Sequence, residues 1–288
     1  MPDIWGYATI LTKLALYLGI VGATGLILAR VWYSNLIAPL EPKLRVWTLR
    51  FAGLALLAVA LRFMLRGAVL TGDISGMVDL EMLGLLWSTP VGDAVTFRLL
   101  GIGLIAIGLF LPRIGHWVSL AGGTLALWSF TQIGHVGEVG WPYVGLLLLL
   151  HLLGVAFWVG ILGPLRYYSQ RPEHIERAAS LGHRFGQAAS VIVPLLVVAG
   201  LIMAWLILGD LSALVTTGYG FTLAAKLVLV ALVLSLAAAN KLRFIPAMQA
   251  GDQSAAQKLV RSIEFETLII LVVFAATATL TSVLTLPN

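Results

Sequence analysis

The sequence contains no cysteine and few charged residues. Without cysteine the chain forms no disulfide, thiolate metal site or iron–sulfur cluster, so a soft metal must be bound by His, Met or carboxylate side chains. Charged residues make up 11% of the 288 residues and hydrophobic residues 60%, whereas soluble domains carry about 25% charged residues. The composition therefore excludes an ordinary soluble domain and indicates a polytopic membrane protein.

Common catalytic and nucleic-acid signatures are also missing. The sequence has no Gly-rich phosphate loop, no nucleophile elbow and no paired-carboxylate pattern, so we predict that the protein is not an enzyme. Its net charge of +5 and pI near 9.7 do not indicate nucleic-acid binding, because most Lys and Arg residues lie in short loops between apolar runs.

Apolar runs long enough to cross a bilayer, about 20 residues, occur eight times. Lipid offers no partner to open backbone groups, so every run is predicted to be a helix. The N-terminal segment has a single lysine, Lys13, and no clear cleavage site, so the first run is predicted to be a retained span. The predicted spans of this all-α integral membrane protein are 8–36, 46–69, 91–111, 115–135, 143–168, 185–208, 220–245 and 262–284.

Charges in the loops alternate between basic and acidic along the chain. The positive-inside rule places the basic loops in the cytoplasm, so both termini are predicted to be periplasmic. The basic side holds Arg30, Lys43, Arg45, Arg50, Arg113, Arg166, Arg171, Arg177, Arg184, Lys241, Arg243, Lys258 and Arg261. The other side holds Asp73, Asp79, Glu81, Asp93, Glu138 and Asp210, and Arg66 is a basic residue on this acidic side.

The two halves of the chain resemble each other. Similar residues open the second and sixth spans (49–51 and 183–185) and the third and seventh (89–92 and 217–220), where Arg98 corresponds to Lys226. We predict a four-plus-four duplication with parallel repeats, since each unit has an even number of spans. The predicted domains are 1–134 and 135–288.

Segment 73–88 differs from the spans. It combines acidic residues with Met77, Met82 and an apolar set at helical spacing. This pattern is typical of an amphipathic helix at the membrane interface, here on the outer side.

Two histidines are candidate site residues. His151 lies roughly 15 Å deep at ~1.5 Å per residue, and an ionisable side chain there is functional by default; an interhelical hydrogen bond is the alternative. His135 is predicted at the outer surface, with Glu138 three residues later as a helper in capturing a cation. The alternative for His135 and Glu138 is a solvated loop. The difference in depth predicts successive stations rather than one site.

Thioether and basic side chains supply further candidates. Imidazole suits Cu, Zn, Fe and Ni, and thioether selects Cu(I); Met77, Met82 and Met203 are candidates on the outer half, with packing as the alternative. Arg98 and Lys226 each follow a turn glycine by six residues. They either snorkel to the outer interface or, as a pair, repel cations or hold carboxylates such as Asp93.

A haem site is the competing cofactor interpretation. A bis-histidine haem needs two facing histidines at similar depth. His116 and His183 form the only pair at matched depth, and both lie near loops.

Seven short segments of the second half form a recognisable combination. They are 150–160 (LHLLGVAFWVG), 184–185 (RF), 200–205 (GLIMAW), 211–220 (LSALVTTGYG), 226–227 (KL), 240–243 (NKLR) and 261–266 (RSIEFE). On these segments the half 134–285 resembles the copper resistance protein D (CopD/PcoD) family of bacterial inner-membrane proteins. The first half looks like the more variable N-terminal half of the same proteins.

The resemblance implies eight spans and copper transport from periplasm to cytoplasm, contributing to copper homeostasis and resistance. It also implies a periplasmic CopC-type copper chaperone as a partner, beside the lipid bilayer. His135 and His151 would carry copper, and Trp158 would line the path. Two alternatives stay open: a haem-binding electron carrier or metalloreductase, and an assembly factor that delivers copper without transporting it.

Overall fold

A computed structural model describes residues 3–134 and 142–284. Nine helices of eight or more residues lie in these ranges, and no strand does, so the predicted all-α class is confirmed for the described residues. The helices are α1 (Ile4–Trp32), α2 (Glu41–Thr71), α3 (Leu80–Trp87), α4 (Pro90–Gly108), α5 (Gly115–Trp128), α6 (Pro142–Ser169), α7 (Ile175–Leu208), α8 (Gly218–Ala239) and α9 (Gln253–Leu280). Shorter turns are Ser34–Ile37, Ala38–Leu40, Ile74–Met77, Ser129–Thr131, Pro172–His174, Ala213–Thr216, Asn240–Phe244 and Ile245–Gln249.

Seven helices of the described ranges are long and apolar enough to cross a membrane, against eight predicted spans. The predicted span 115–135 is the one without such a helix. Its helix, α5, has 14 residues and continues into the 3₁₀ turn Ser129–Thr131. At 1.5 Å per residue α5 measures about 21 Å, short of the roughly 30 Å hydrocarbon thickness. α7 begins ten residues before the predicted span, because the polar residues near His183 are helical without being apolar.

Threonine caps start the two helices that the predicted repeat relates. Thr89 accepts a hydrogen bond from Val91 N at the start of α4, and Thr217 accepts one from Gly220 N at the start of α8. Such caps satisfy backbone donors that the first turn leaves open. A Cβ atom at Gly92 would overlap the carbonyl oxygen of Trp87, and one at Gly220 would overlap that of Ala213. Both helices therefore begin with the same local construction.

α1 and α6 are the central helices of the bundle. α1 packs against α2, α5, α6 and α9, and α6 packs against α1, α5, α7 and α9. The two helices come closest at Gly25 and Gly160, where a Cβ atom on either would overlap the other helix's backbone. Small residues permit this approach of two helices in a membrane.

The helices outside the central pair α1 and α6 pack differently in the two halves of the chain. α4 packs on α5, and α8 packs on α9. α2 also packs on α4, whereas no contact of that extent joins α7 and α8, which lie within the described ranges. Residues of both α7 and α8 line a cavity instead.

Segment 73–88 forms two short helices rather than one. A 3₁₀ turn at Ile74–Met77 precedes α3, and Asp79 separates them because its side chain caps the backbone N–H groups of Glu81 and Met82. Leu80 is 85% exposed while Leu86 is buried. The segment therefore presents apolar side chains outward, and its position at the membrane interface stays a prediction.

Candidate functional site

A cavity of about 300 Å³ lies between α1, α6, α7, α8 and α9, with further contributions from α2 and α4. Its lining on α8 runs from Tyr219 to Leu234, about 22 Å along the axis at 1.5 Å per residue. Most of the lining is aliphatic. Ligand sites are typically apolar cavities of roughly 300–1,000 Å³ with a few polar groups, so this cavity is the candidate site.

Five ionisable side chains of the cavity come from similar depths. Lys13, Arg98, His151 and Lys226 each lie eight or nine residues after the first residue of their helices, and Arg62 lies nine before the last residue of α2, which runs the opposite way. The corresponding depth is about 12–14 Å. The fold thus places ionisable groups from five helices along one cavity, although each is isolated in its own apolar run.

His151 is held by the backbone of α7. Its Nδ1 lies 3.0 Å from the carbonyl oxygen of Leu196, which can only accept, so Nδ1 carries the hydrogen and in the neutral ring Nε2 keeps its lone pair. The ring also packs on Gly200, where a Cβ atom would lie 3.0 Å from His151 Cε1. His151 therefore forms an interhelical hydrogen bond and still offers a free nitrogen ligand in a residue that lines the cavity.

The predicted sulfur candidates separate in the structure. Met203 lines the cavity together with His151 and is 7% exposed. Met77 and Met82 lie in or beside the short helices of segment 73–88 and are not among the cavity's lining residues. Of the three, only Met203 is placed to act with His151.

Trp158 connects the cavity to a buried carboxylate. It lines the cavity, and its indole N–H donates to Glu266, which is 2% exposed. Glu266 also accepts a hydrogen bond of 3.0 Å from the side-chain amide of Asn240. Asn240 begins a π-helical turn, Asn240–Phe244, a feature often found at functional sites.

Four cations, Lys13, Arg62, Arg98 and Lys226, form what we call the basic cluster. Lys13 Nζ donates to the Thr281 carbonyl at 2.6 Å, Arg62 to the Thr9 carbonyl at 2.9 Å, and Arg98 Nε to Ser129 Oγ at 3.0 Å. These acceptors are all neutral. Lys226 has no hydrogen-bond or ion-pair partner within residues 3–134 and 142–284, although its charge acts on His151. Among residues 3–134 and 142–284, no acidic side chain pairs with these four cations.

The predicted alternatives for Arg98 are wrong in part. Arg98 does not snorkel to the surface, because it is 4% exposed and bound to Ser129, with its guanidinium 5.4 Å from the centre of the Phe130 ring. It does not hold Asp93, which is exposed. Ion pairs in the described part of the chain join Arg30 to Glu41 and Arg166 to Glu264, away from the cavity.

The remaining candidates do not join the cavity. His135 and Glu138 lie outside the described residues. His116 and His183 are exposed and are absent from the lining. Within residues 3–134 and 142–284, no three His, Asp or Glu side chains gather in a group that could hold a metal ion.

Four polar residues that line the cavity or contact its lining were not predicted from the sequence: Lys13, Tyr17, Arg62 and Glu266. The available signal was an ionisable residue inside an apolar run, which is costly to insert and therefore functional by default. The sequence alone did not distinguish Glu266 from Glu264, two residues earlier. Two residues apart on a helix they face different ways, and Glu264 is exposed and paired with Arg166.

Two family models match the chain. The model described as copper resistance protein D matches residues 179–280, and the model described as copper resistance protein D-like, N-terminal domain matches residues 1–144. The matches contain the whole basic cluster, Met203 and Glu266, whereas His151 and Trp158 fall between them. No curated protein and no solved structure matches the chain.

Proposed function

Since the chain belongs to the copper resistance protein D family, we propose that it transports copper across the bacterial inner membrane through the cavity that His151 lines. The observation that carries the proposal is the hydrogen bond from His151 to Leu196. It fixes the neutral tautomer and leaves Nε2 as a ligand at mid-membrane depth. Copper is the cargo, so we propose transient binding rather than a closed resident site.

Met203 and Glu266 supply the chemistry on either side of His151. A thioether selects Cu(I), and imidazole binds copper in either oxidation state. Met203 shares the cavity with His151, and the carboxylate of Glu266 lies directly behind Trp158. We propose that copper passes from His151 and Met203 towards Trp158 and Glu266.

The direction and topology of transport rest on the loop charges and the family. We propose entry from the periplasm, with both termini on that side, because the basic loops mark the cytoplasm. His135 and Glu138 remain proposed capture residues, and a periplasmic CopC-type chaperone remains the proposed donor. The expected outcome for the cell is copper homeostasis and resistance.

We also propose that α5 completes an eighth span and that 1–134 and 135–288 are repeats. The helix and its following 3₁₀ turn together measure about 27 Å. The pairings support the repeat: exchanging α1 with α6, α2 with α7, α4 with α8 and α5 with α9 reproduces every major pairing except that between α2 and α4. The matching threonine caps of α4 and α8 agree with this exchange.

Cellular copper content tests the proposal. Cells expressing His151→Ala are expected to accumulate less copper than cells expressing wild type at equal membrane levels. His183→Ala is the matched control, because His183 is exposed and lies outside the cavity. Wild-type accumulation by His151→Ala would make His151 a packing residue and would overturn the proposed path.

A haem-binding electron carrier is the second candidate. One observation favours it: an apolar cavity holds a histidine with a free nitrogen beside cations suited to carboxylates such as haem propionates. The predicted pair His116 and His183 gives no support, because both side chains are exposed. A Soret band in the purified protein would establish this candidate, and a protein without one would exclude a bound haem.

Cellular copper content also distinguishes transport from the third candidate, a factor that delivers copper without transporting it. Such a factor would bind copper but leave total cellular copper unchanged. A permease changes cellular copper in proportion to its membrane level.

A further inference from the structure

We propose that the cavity binds a multivalent oxyanion, a di- or tricarboxylate or a phosphate, at the depth of His151 through Lys13, Arg62, Arg98 and Lys226. This site is distinct in chemistry from copper ligation, because all four side chains are donors and none can bind a cation. The proposal stands on the cavity and its hydrogen bonds and does not depend on copper transport.

Charge in the cavity is unbalanced among the described residues. Four cations line one cavity in the apolar part of the bundle, and their partners in the described ranges are backbone carbonyls and a serine hydroxyl. Charged groups inside a membrane normally pair with one another or with opposite charge. A monovalent anion would neutralise only part of this charge, so an anion with two or more charges fits best.

Several N–H donors of the basic cluster make no hydrogen bond in the described part of the chain. Arg98 uses Nε on Ser129, which leaves both terminal nitrogens, and Arg62 uses one terminal nitrogen on Thr9. Planar guanidinium groups bind carboxylate and phosphate oxygens through paired N–H groups. The ammonium of Lys226 adds three donors without a hydrogen-bond partner in the described part of the chain. These donors suit oxyanions better than halides.

The fold holds the basic cluster in place. Arg98 is 4% exposed and packs on Phe130, and its acceptor Ser129 is itself fixed to the Ala126 carbonyl at 2.6 Å. Lys13 is fixed to the end of α9. The donors are thus positioned by the fold before any ligand binds, which lowers the entropic cost of binding.

A bound anion would change the field in the cavity. Copper bound to His151 would lie at the same depth as the four cations, where a bare cation would be repelled. A bound oxyanion removes that repulsion and adds oxygen ligands. Copper and the anion would then favour each other's binding.

Thermal unfolding of the purified, copper-free protein in neutral detergent provides the test, with citrate, inorganic phosphate, acetate and chloride at matched ionic strength as probes. Citrate or phosphate is expected to raise the unfolding temperature in a saturable manner, because a ligand bound to the folded state stabilises it. Acetate and chloride control for screening, which depends on ionic strength alone. A larger effect of citrate than of phosphate would assign the site to carboxylates, and the reverse to phosphates.

Lys226→Gln is the decisive variant, with Lys258→Gln as its matched control because Lys258 is exposed and remote from the cavity. Removing an unpaired cation from the membrane region should raise the unfolding temperature of the empty protein. It should also weaken anion binding about tenfold or more, the effect of losing one charged hydrogen bond. Arg98→Gln should weaken binding similarly, although it also removes the donor to Ser129.

The proposal is overturned if no anion acts on wild type beyond the chloride control. It is equally overturned if citrate and phosphate act on Lys226→Gln, Arg98→Gln and wild type alike. Copper transport by His151 would survive either result, since the assay contains no copper.

Discussion

The indole of Trp158 donates its N–H to the carboxylate of Glu266, and this hydrogen bond joins α6 to α9 behind the cavity. Asn240 donates to the other carboxylate oxygen at 3.0 Å. One acid thus satisfies buried donors from two other helical segments, which makes Glu266 the polar centre of this part of the bundle.

Replacing Glu266 by Ala is expected to destabilise the protein by about 1–3 kcal/mol or more, because two buried donors lose their acceptor. Glu266→Gln keeps a carbonyl acceptor and should be milder. The control is Glu264→Ala, which breaks an exposed ion pair worth about 1 kcal/mol at most. Unfolding temperatures in detergent would measure the difference. Equal losses for Glu266→Ala and Glu264→Ala would contradict the role given to Glu266.

Gly160→Leu is expected to disrupt assembly of the bundle, because even a Cβ atom at this position would overlap the backbone of Gly25. Gly53 provides the contrast: it is exposed in α2, and a Cβ atom there meets nothing within 4 Å. Gly53→Ala should be neutral or stabilising by up to about 1 kcal/mol. Size-exclusion profiles of the purified variants would test this, and a normal profile for Gly160→Leu would show that α1 and α6 do not meet here.

Gly200→Ala is expected to reduce copper transport without unfolding the protein. The new methyl group would lie 3.0 Å from Cε1 and 3.3 Å from Nδ1 of His151, so the ring must shift from the position in which Nδ1 bonds Leu196. Groups that orient a metal ligand typically change affinity by about 10–100-fold. Copper accumulation at matched protein levels is the measurement, with Gly53→Ala as control. Full activity of Gly200→Ala would argue that the orientation of His151 is unimportant.

The sequence predicted helices well and the site incompletely. Apolar runs specify spans because lipid leaves the backbone no other partner, and the position of His151 inside a span was readable from its run alone. The presence of Lys13, Arg62 and Arg98 in one cavity was not, because it depends on how three helices are placed around each other. The same holds for Met77 and Met203, which looked alike as residues and differ only in where the fold puts them.

The orientation in the membrane can be tested directly because the natural chain lacks cysteine. A cysteine at Met77 is expected to react with an impermeant reagent from the periplasmic side, and one at Lys258 only from the cytoplasmic side. A reporter fused after Asn288 should be active only if it requires the periplasm. Labelling of Met77→Cys solely from the cytoplasm would invert the topology and the proposed direction of transport.

Copper flux into vesicles reconstituted with the purified protein tests the central claim most directly, since it separates transport from copper delivery. Vesicles with wild type or His183→Ala should take up copper faster than protein-free vesicles. His151→Ala should reduce the protein-dependent rate about tenfold or more, as expected for losing a ligand rather than its support. An unchanged rate for His151→Ala, at equal protein content and orientation, would contradict a copper path through the cavity that His151 lines.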